Sequence, residues 1–326
     1  MTTSTALCHE LTTTAGKVEM AYSGEKPWHG LGNLIPDNAT PDEMRVAAGM
    51  DWSIKRGSVI FAPTDALGVP QDLIAVPGRV VLYRSDTNAP LSVVSERFHE
   101  IQPRAAIDFF RDMVEAGGFT METAGTMQGG KRLWCMVKTG EGFAIGDDVS
   151  EARLLFATAC DGTLATSVRQ TAIRVVCKNT FNMALHGSLR AVTVRHTREF
   201  NAEAVKQRLM DVSDAFAAYA KTAEMLAKVR LSSGFADAFL QDLLPVPTNG
   251  LVEDSRGYKG IMALFNGAGK GSTLASAAGT AWGMFNAVTE FTDHHSRSKN
   301  AETRADAALF GSGDRLKADA WRMLTA

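Results

Sequence analysis

The chain has 326 residues, 45% apolar and 21% charged, with a formal net charge of −2. That composition belongs to a globular protein long enough to bury a large core and to hold two domains, and it excludes a histone-like polycation. No apolar run reaches the roughly 18–20 residues of a membrane span, and the first residues lack the basic start and apolar core of a secretory signal.

In chain order, residues 1–24 read as a polar arm, followed by an irregular glycine-rich segment around Trp28 and His29. Thr40, Pro41 and Glu43 spell a helix start: an N-cap, a proline at the first helical position and a glutamate that closes a capping box. That helix is expected to stop near Gly49, and Trp52–Phe61 reads as a strand. Residues 79–101 read as a hairpin of two β-branched runs joined through Ser85–Pro90. Pro103 opens a helix that Gly117 and Gly118 stop. A second hairpin turns at Gln128-Gly129-Gly130 and a third at Asp161-Gly162.

The next stretch, Cys160–Arg198, holds the strongest amphipathic signal. Ile173, Val176, Cys177, Thr180, Phe181, Ala184 and Leu185 recur at helical spacing, which predicts a central helix, followed by a strand at Leu189–Thr197. Val205, Leu209, Val212, Phe216, Tyr219, Ala223 and Leu226 then alternate like a coiled-coil seam. A helix is expected over Phe235–Leu244, a Gly/Pro/Ser-rich connection over 245–280, a helix from Ala281 through Thr292, and a last one near Asp314–Leu324. The fold class expected is α+β: antiparallel β-hairpins packed on a central amphipathic helix, followed by a helical C-terminal region. The division expected is an N-terminal arm and helix (1–50), an α+β core with a basic helix (51–199) and a helical region (200–326).

Chemistry concentrates in few places. Arg169, Arg174, Lys178, Arg190, Arg195 and Arg198 crowd a stretch with one acid, Asp161. On a helix, Gln170, Arg174, Lys178 and Asn182 fall four apart, a stripe suited to phosphates. The plainer account of such a stripe is a solvated helix face. Asn266–Thr273 (NGAGKGST) invites a P-loop reading but fails it: Leu264 stands where the motif needs its first glycine, and Gly271 where it needs Ser or Thr. A loop touching nucleic-acid phosphate through backbone N–H groups and Lys270 is the functional alternative to a plain linker. Asn286, Glu290, Asp293 and His294 share a helix end, where Glu290, Asp293 and His294 could ligate a divalent metal. The alternative is a polar helix terminus whose histidines meet the negative end of the helix dipole. The cysteines, Cys8, Cys135, Cys160 and Cys177, are scattered without a CxxC, which predicts buried thiols in a reducing cytoplasm. No base partner identifies Cys177 as a nucleophile, no paired-carboxylate or Ser-His-Asp arrangement can be assembled, and no cofactor is implied.

KPWHGLG at 26–32, LYRSDTNAPLSVVSERFHEIQP at 82–103, RVVCKNT at 174–180, GTAWGMFNAVTEFTDHH at 279–295 and LFGSGDRLKADAW at 309–321 resemble the phage/plasmid-like protein family. The resemblance covers most of the chain. It implies a mobile-element origin and a bacterial cytoplasmic setting, and it supplies no catalytic residues. The expected architecture is also similar to that of the single-strand annealing recombinases, an analogy at the level of fold. The function expected is therefore a phage or plasmid accessory protein, not an enzyme. It would bind single-stranded DNA as a homo-oligomer through Arg169, Arg174, Lys178, Arg190, Arg195 and Lys270. The alternatives are an anti-defence or structural protein acting through protein contacts, and a metal-dependent nuclease.

Overall fold

The computed structural model describes residues 12–14, 16–24, 32–115, 118–174, 179–182, 192–210, 213–248, 250–299, 307–309 and 311–326. Two short strands, β1 (Thr13–Thr14) and β2 (Lys17–Val18), pair antiparallel ahead of β3 (Met20–Ser23), and β4 (Asn33–Ile35) lies parallel beside β3. The polar arm expected over 1–24 thus gives way at Met20 to a fully buried strand. Met20 and Ala21 enter different apolar clusters, as period-two alternation requires. Trp28 and His29 lie outside the described residues.

Helix α1 (Pro41–Ala47) starts as the sequence dictates. Thr40 accepts from the Glu43 N–H, and the Glu43 carboxylate accepts from the Thr40 N–H at 2.7 Å. Strands β5 (Ile54–Phe61), β6 (Ile74–Arg84) and β7 (Pro90–Ser95) form a separate three-stranded antiparallel sheet. The single helix expected from Pro103 is two: α2 (Pro103–Asp108) and α3 (Arg111–Glu115), separated at Phe109-Phe110, which are both buried in the core.

The second sheet is the frame of the molecule. Strands β8 (Thr120–Met127), β9 (Arg132–Ile145), β10 (Asp148–Ala159), β11 (Thr166–Arg174), β12 (Asn179–Asn182) and β13 (Val192–Val194) join β3 and β4 in an eight-stranded sheet. Its order is β12-β11-β10-β9-β8-β3-β4, and all its pairings are antiparallel except β3–β4. Both faces are covered. Leu154 and Phe156 enter the larger core beneath α1, α2 and the small sheet, while Leu155 and Ala157 join Met20, Met127 and Trp134. This two-sided burial is why β10 reads LLFATA with little polar alternation.

Where the described residues cover the expected central helix they form strands, and this overturns the central element of the sequence reading. Residues 166–174 and 179–182 are β11 and β12, and an eight-residue ladder runs from Ser150↔Arg174 to Ala157↔Ser167. Two physical reasons decide it. Thr166, Val168, Thr171, Ile173 and Thr180 are β-branched and fit a pleated surface better than a helix. Moreover, β10 is a long buried strand whose outer edge would otherwise leave its backbone groups unpaired. β12 covers the Arg174 end of β11 and β13 covers the Thr166 end.

After Arg198 the chain is helical, as expected: α4 (Ala202–Met210), α5 (Ser213–Lys228), α6 (Ser233–Leu243), α7 (Arg256–Ala263), α8 (Ala281–Glu290) and α9 (Ser312–Leu324). The seam is shared between two helices and two cores. Val205 packs into the sheet core, and Phe216, Tyr219, Ala223 and Leu226 into the helical one. Val212 lies outside the described residues. Every residue of α8 is buried, so it is the hub of the helical core and is apolar nearly all round. The Gly/Pro/Ser-rich connection is partly ordered by α7 and by a π-helical turn at Leu264–Ala268. Trp282 of α8 donates its indole N–H to the buried Asp148 carboxylate at 2.9 Å, which ties the helices to the start of β10.

Candidate nucleic-acid interface

Among the described residues, Arg169, Arg195 and Lys270 sit on different elements and do not form one group. Arg169 lies on β11 and bonds Asp314 of α9 at 3.1 Å, with its side chain only 22% exposed. Arg174 ends the same strand, its backbone between Ser150 and Asn179. Lys178 and Arg190 lie outside the described residues. Arg195 is exposed just past β13, whose Val194 pairs with Thr166. Eight residues of strand then separate that point from Arg174, on the order of 26 Å. Lys270 is in the loop that follows α7, beside the end of α8.

Arg195 instead has other neighbours. The His99 N–H donates to the His196 carbonyl at 2.7 Å, and the two His196 ring nitrogens bridge the carbonyls of His99 and Leu164 at 2.9 and 3.0 Å. The His196 ring stacks on Phe98 with centroids 4.5 Å apart. This lock joins the turn after β7 to the turn after β13. It sets exposed Arg97 and His99 beside exposed Arg195 and Arg198, with Glu96 and Glu199 at the margin. Arg97 and His99 were missed in the sequence because they lie about a hundred residues from Arg195; only a backbone contact that no local pattern encodes brings them together.

The glycine-rich loop has a different occupant from the phosphate expected there. The Glu290 carboxylate, 4% exposed, accepts the Lys270 backbone N–H at 3.0 and 3.2 Å. Glu290 closes α8, where the negative end of the helix dipole disfavours a carboxylate, and the loop N–H offsets that repulsion. A Cβ on Gly269 would stand 2.8 Å from the Leu264 carbonyl oxygen and 3.2 Å from Glu290 Oε2, so only glycine allows the approach. Glu290→Ala is therefore expected to raise hydrogen exchange at the Lys270 amide by about tenfold or more, a local opening readable by mass spectrometry. An unchanged rate would refute the tie.

Nor do the metal candidates assemble. Asp293 bonds buried Lys317 at 2.8 Å, and His295 Nε2 is 3.8 Å from Glu290. Among the described residues no group of three or more His, Cys, Asp and Glu side chains is placed to hold a metal ion. Burial raises the Cys135 thiol and pushes Cys160 up to about 12, with Asp161 adding to the latter, so neither is a thiolate at neutral pH. Cys8 and Cys177 lie outside the described residues. Among the described residues no helix is long and apolar enough to cross a membrane.

Comparison with known families places this architecture in one of them. The family model for a domain of unknown function, DUF932, matches residues 90–309, from the start of β7 to just before α9, and the chain belongs to that family. No curated protein and no solved structure matches the chain.

Proposed function

We propose that this DUF932 member is a phage or plasmid accessory protein that binds single-stranded DNA in the bacterial cytoplasm. The observation that carries the reading is the His99–His196 lock, which sets Arg97, Arg195 and Arg198 on one exposed edge. Exposed guanidinium groups suit the phosphates of a single strand, and exposed His99 offers a stacking face for a base. Glu96 and Glu199 are exposed next to these residues in the chain, and their charge opposes phosphate binding. Arg174, at the far end of β11, extends the reading along that strand.

Anisotropy of a labelled single-stranded oligonucleotide, titrated across salt, tests it. Wild type is expected to bind with an affinity that falls steeply with salt. Arg195→Ala/Arg198→Ala flattens the slope by about 1 to 1.5, at roughly 0.7 per phosphate released. Arg174→Ala/Lys178→Ala, run beside it, reports how far the strand extends. A folded wild type that binds nothing at low salt sinks the proposal.

A protein-contact role, as an anti-defence or structural protein, is the second reading. It is favoured by the apolar hairpin that stands out from the small sheet.

A further inference from the structure

The hairpin of β5 and β6 continues past the body of the protein, and its outer part is unlike an ordinary surface hairpin. Ile60 is 52% exposed, Phe61 49%, Leu67 88%, Val69 51%, Leu73 66% and Ile74 49%. Ile60 pairs with Ala75 and Phe61 with Ile74, so one pair faces each side of the ribbon and both sides are apolar. A strand ribbon with one solvated face alternates apolar and polar; apolar residues on both faces mark a ribbon built to be enclosed.

The tip is rigid. The Asp65 carboxylate accepts the N–H groups of Leu67 and Val69, each at 2.9 Å, and Thr64 bridges Pro70. The Gln71 N–H closes on the Pro63 carbonyl at 2.7 Å. Leu67 is thus held out on a fixed turn. Between Gly57 and Arg79 the only charged residues are Asp65, Asp72 and Arg79. An arm so nearly neutral has no affinity for phosphate, which separates it from the cationic edge.

We propose that this hairpin is an assembly arm whose occupant is a second copy of the same chain. Three arguments select the second copy. A two-stranded ribbon is marginal alone, so an apolar one needs cover whenever the protein is folded; the partner always present at matching stoichiometry is the chain itself. The six side chains expose on the order of 500 Å², at the upper end of what monomers leave open. Two arms packed against each other bury about 1,000 Å², the least that a specific interface needs. The inference is independent of the DNA reading, and its test contains no nucleic acid.

Light scattering coupled to size exclusion, on the full chain at micromolar concentration, reads the outcome. Wild type is expected to run at twice the monomer mass. Phe61→Asp/Leu67→Asp is expected to run as a monomer, and so is a chain with residues 62–73 replaced by Asn-Gly, both with unchanged circular dichroism. The shortened chain keeps the β5–β6 pairing, so the test survives misfolding of the charged variant. In an assembled chain carrying Leu67→Cys, maleimide labelling at that position is expected to be about tenfold slower than in the same chain with Phe61→Asp added. A monomeric wild type, or a shortened chain that keeps the wild-type mass, overturns the proposal.

Discussion

Lys317→Met is expected to destabilise the protein by about 3–5 kcal/mol, read as a lower urea midpoint with an unchanged slope. Lys317 is 0% exposed in α9, and its ammonium bonds Asp293, 7% exposed, at 2.8 Å. The pair bridges the two ends of the helical core, from the turn closing α8 to the face of α9 beside Ala320 and Trp321. Methionine keeps most of the volume but removes the cation that faces a buried carboxylate. The double substitution Lys317→Met/Asp293→Leu is therefore expected to recover most of the loss, because an apolar pair of similar size carries no desolvation cost. The interaction energy from the full cycle should be large and favourable. A single Lys317→Met variant within 1 kcal/mol of wild type would show that the pair is not closed to solvent.

Asp293 also shows how the sequence informs and misleads. Glu290, Asp293 and His294 look like a ligand set because the one-dimensional spacing places them on one helix end. The structure divides them: Asp293 goes to a lysine 24 residues on, and Glu290 to a loop N–H 20 residues back. No spacing rule encodes either partner, because both arise from how α7 and α9 dock on α8. Local chemistry was legible where the cause is local. The Thr40–Glu43 capping box, the turn at Asp161-Gly162 and the buried face of α5 formed as read, and so did the α+β class with its antiparallel hairpins and helical C-terminal region. Where a non-local pairing competes with a local periodicity, the pairing wins. Residues 170–174 satisfy a helical pattern equally well, yet the open edge of β10 makes them a strand. The exposed arm was invisible for a related reason. An apolar β-branched run reads as core until the fold shows it exposed.

The second large effect belongs to the sheet core, where Arg84→Met is expected to cost about 3–5 kcal/mol. Arg84 is 2% exposed and forms two forked contacts: to Glu19 at 2.7 and 2.9 Å, and to Asp86 at 2.8 and 3.0 Å. Its guanidinium also lies 4.2 Å over the Trp52 ring. Glu19, 4% exposed, is held from the other side by Thr126. A Cβ on Gly49 would come within 2.7 Å of the Glu19 side chain, so the backbone closes over the pair. The cluster pins the β2–β3 junction to β6, and with it one sheet to the other. Removing the cation strands a carboxylate, whereas Asp86→Asn leaves Arg84 paired with Glu19, so the expected order of damage is Arg84→Met far above Asp86→Asn. Acid separates the two contributions. Burial alone would lower the Arg84 basicity, but the hydrogen bonds it donates to Asp86 and Glu19 outweigh it and raise it, so the cation stays charged throughout the accessible range. Its hydrogen bond to Arg84 holds the Asp86 carboxyl below the ordinary range despite partial burial. The unfolded chain then takes up that proton more readily than the folded one. The stabilisation from Asp86 is therefore complete above about pH 4 and is lost as pH falls through the lower, folded value. The urea midpoints of wild type and Asp86→Asn should consequently converge in acid and separate toward neutrality; a gap that stays constant across that range would place the Asp86 contribution in packing and not in charge.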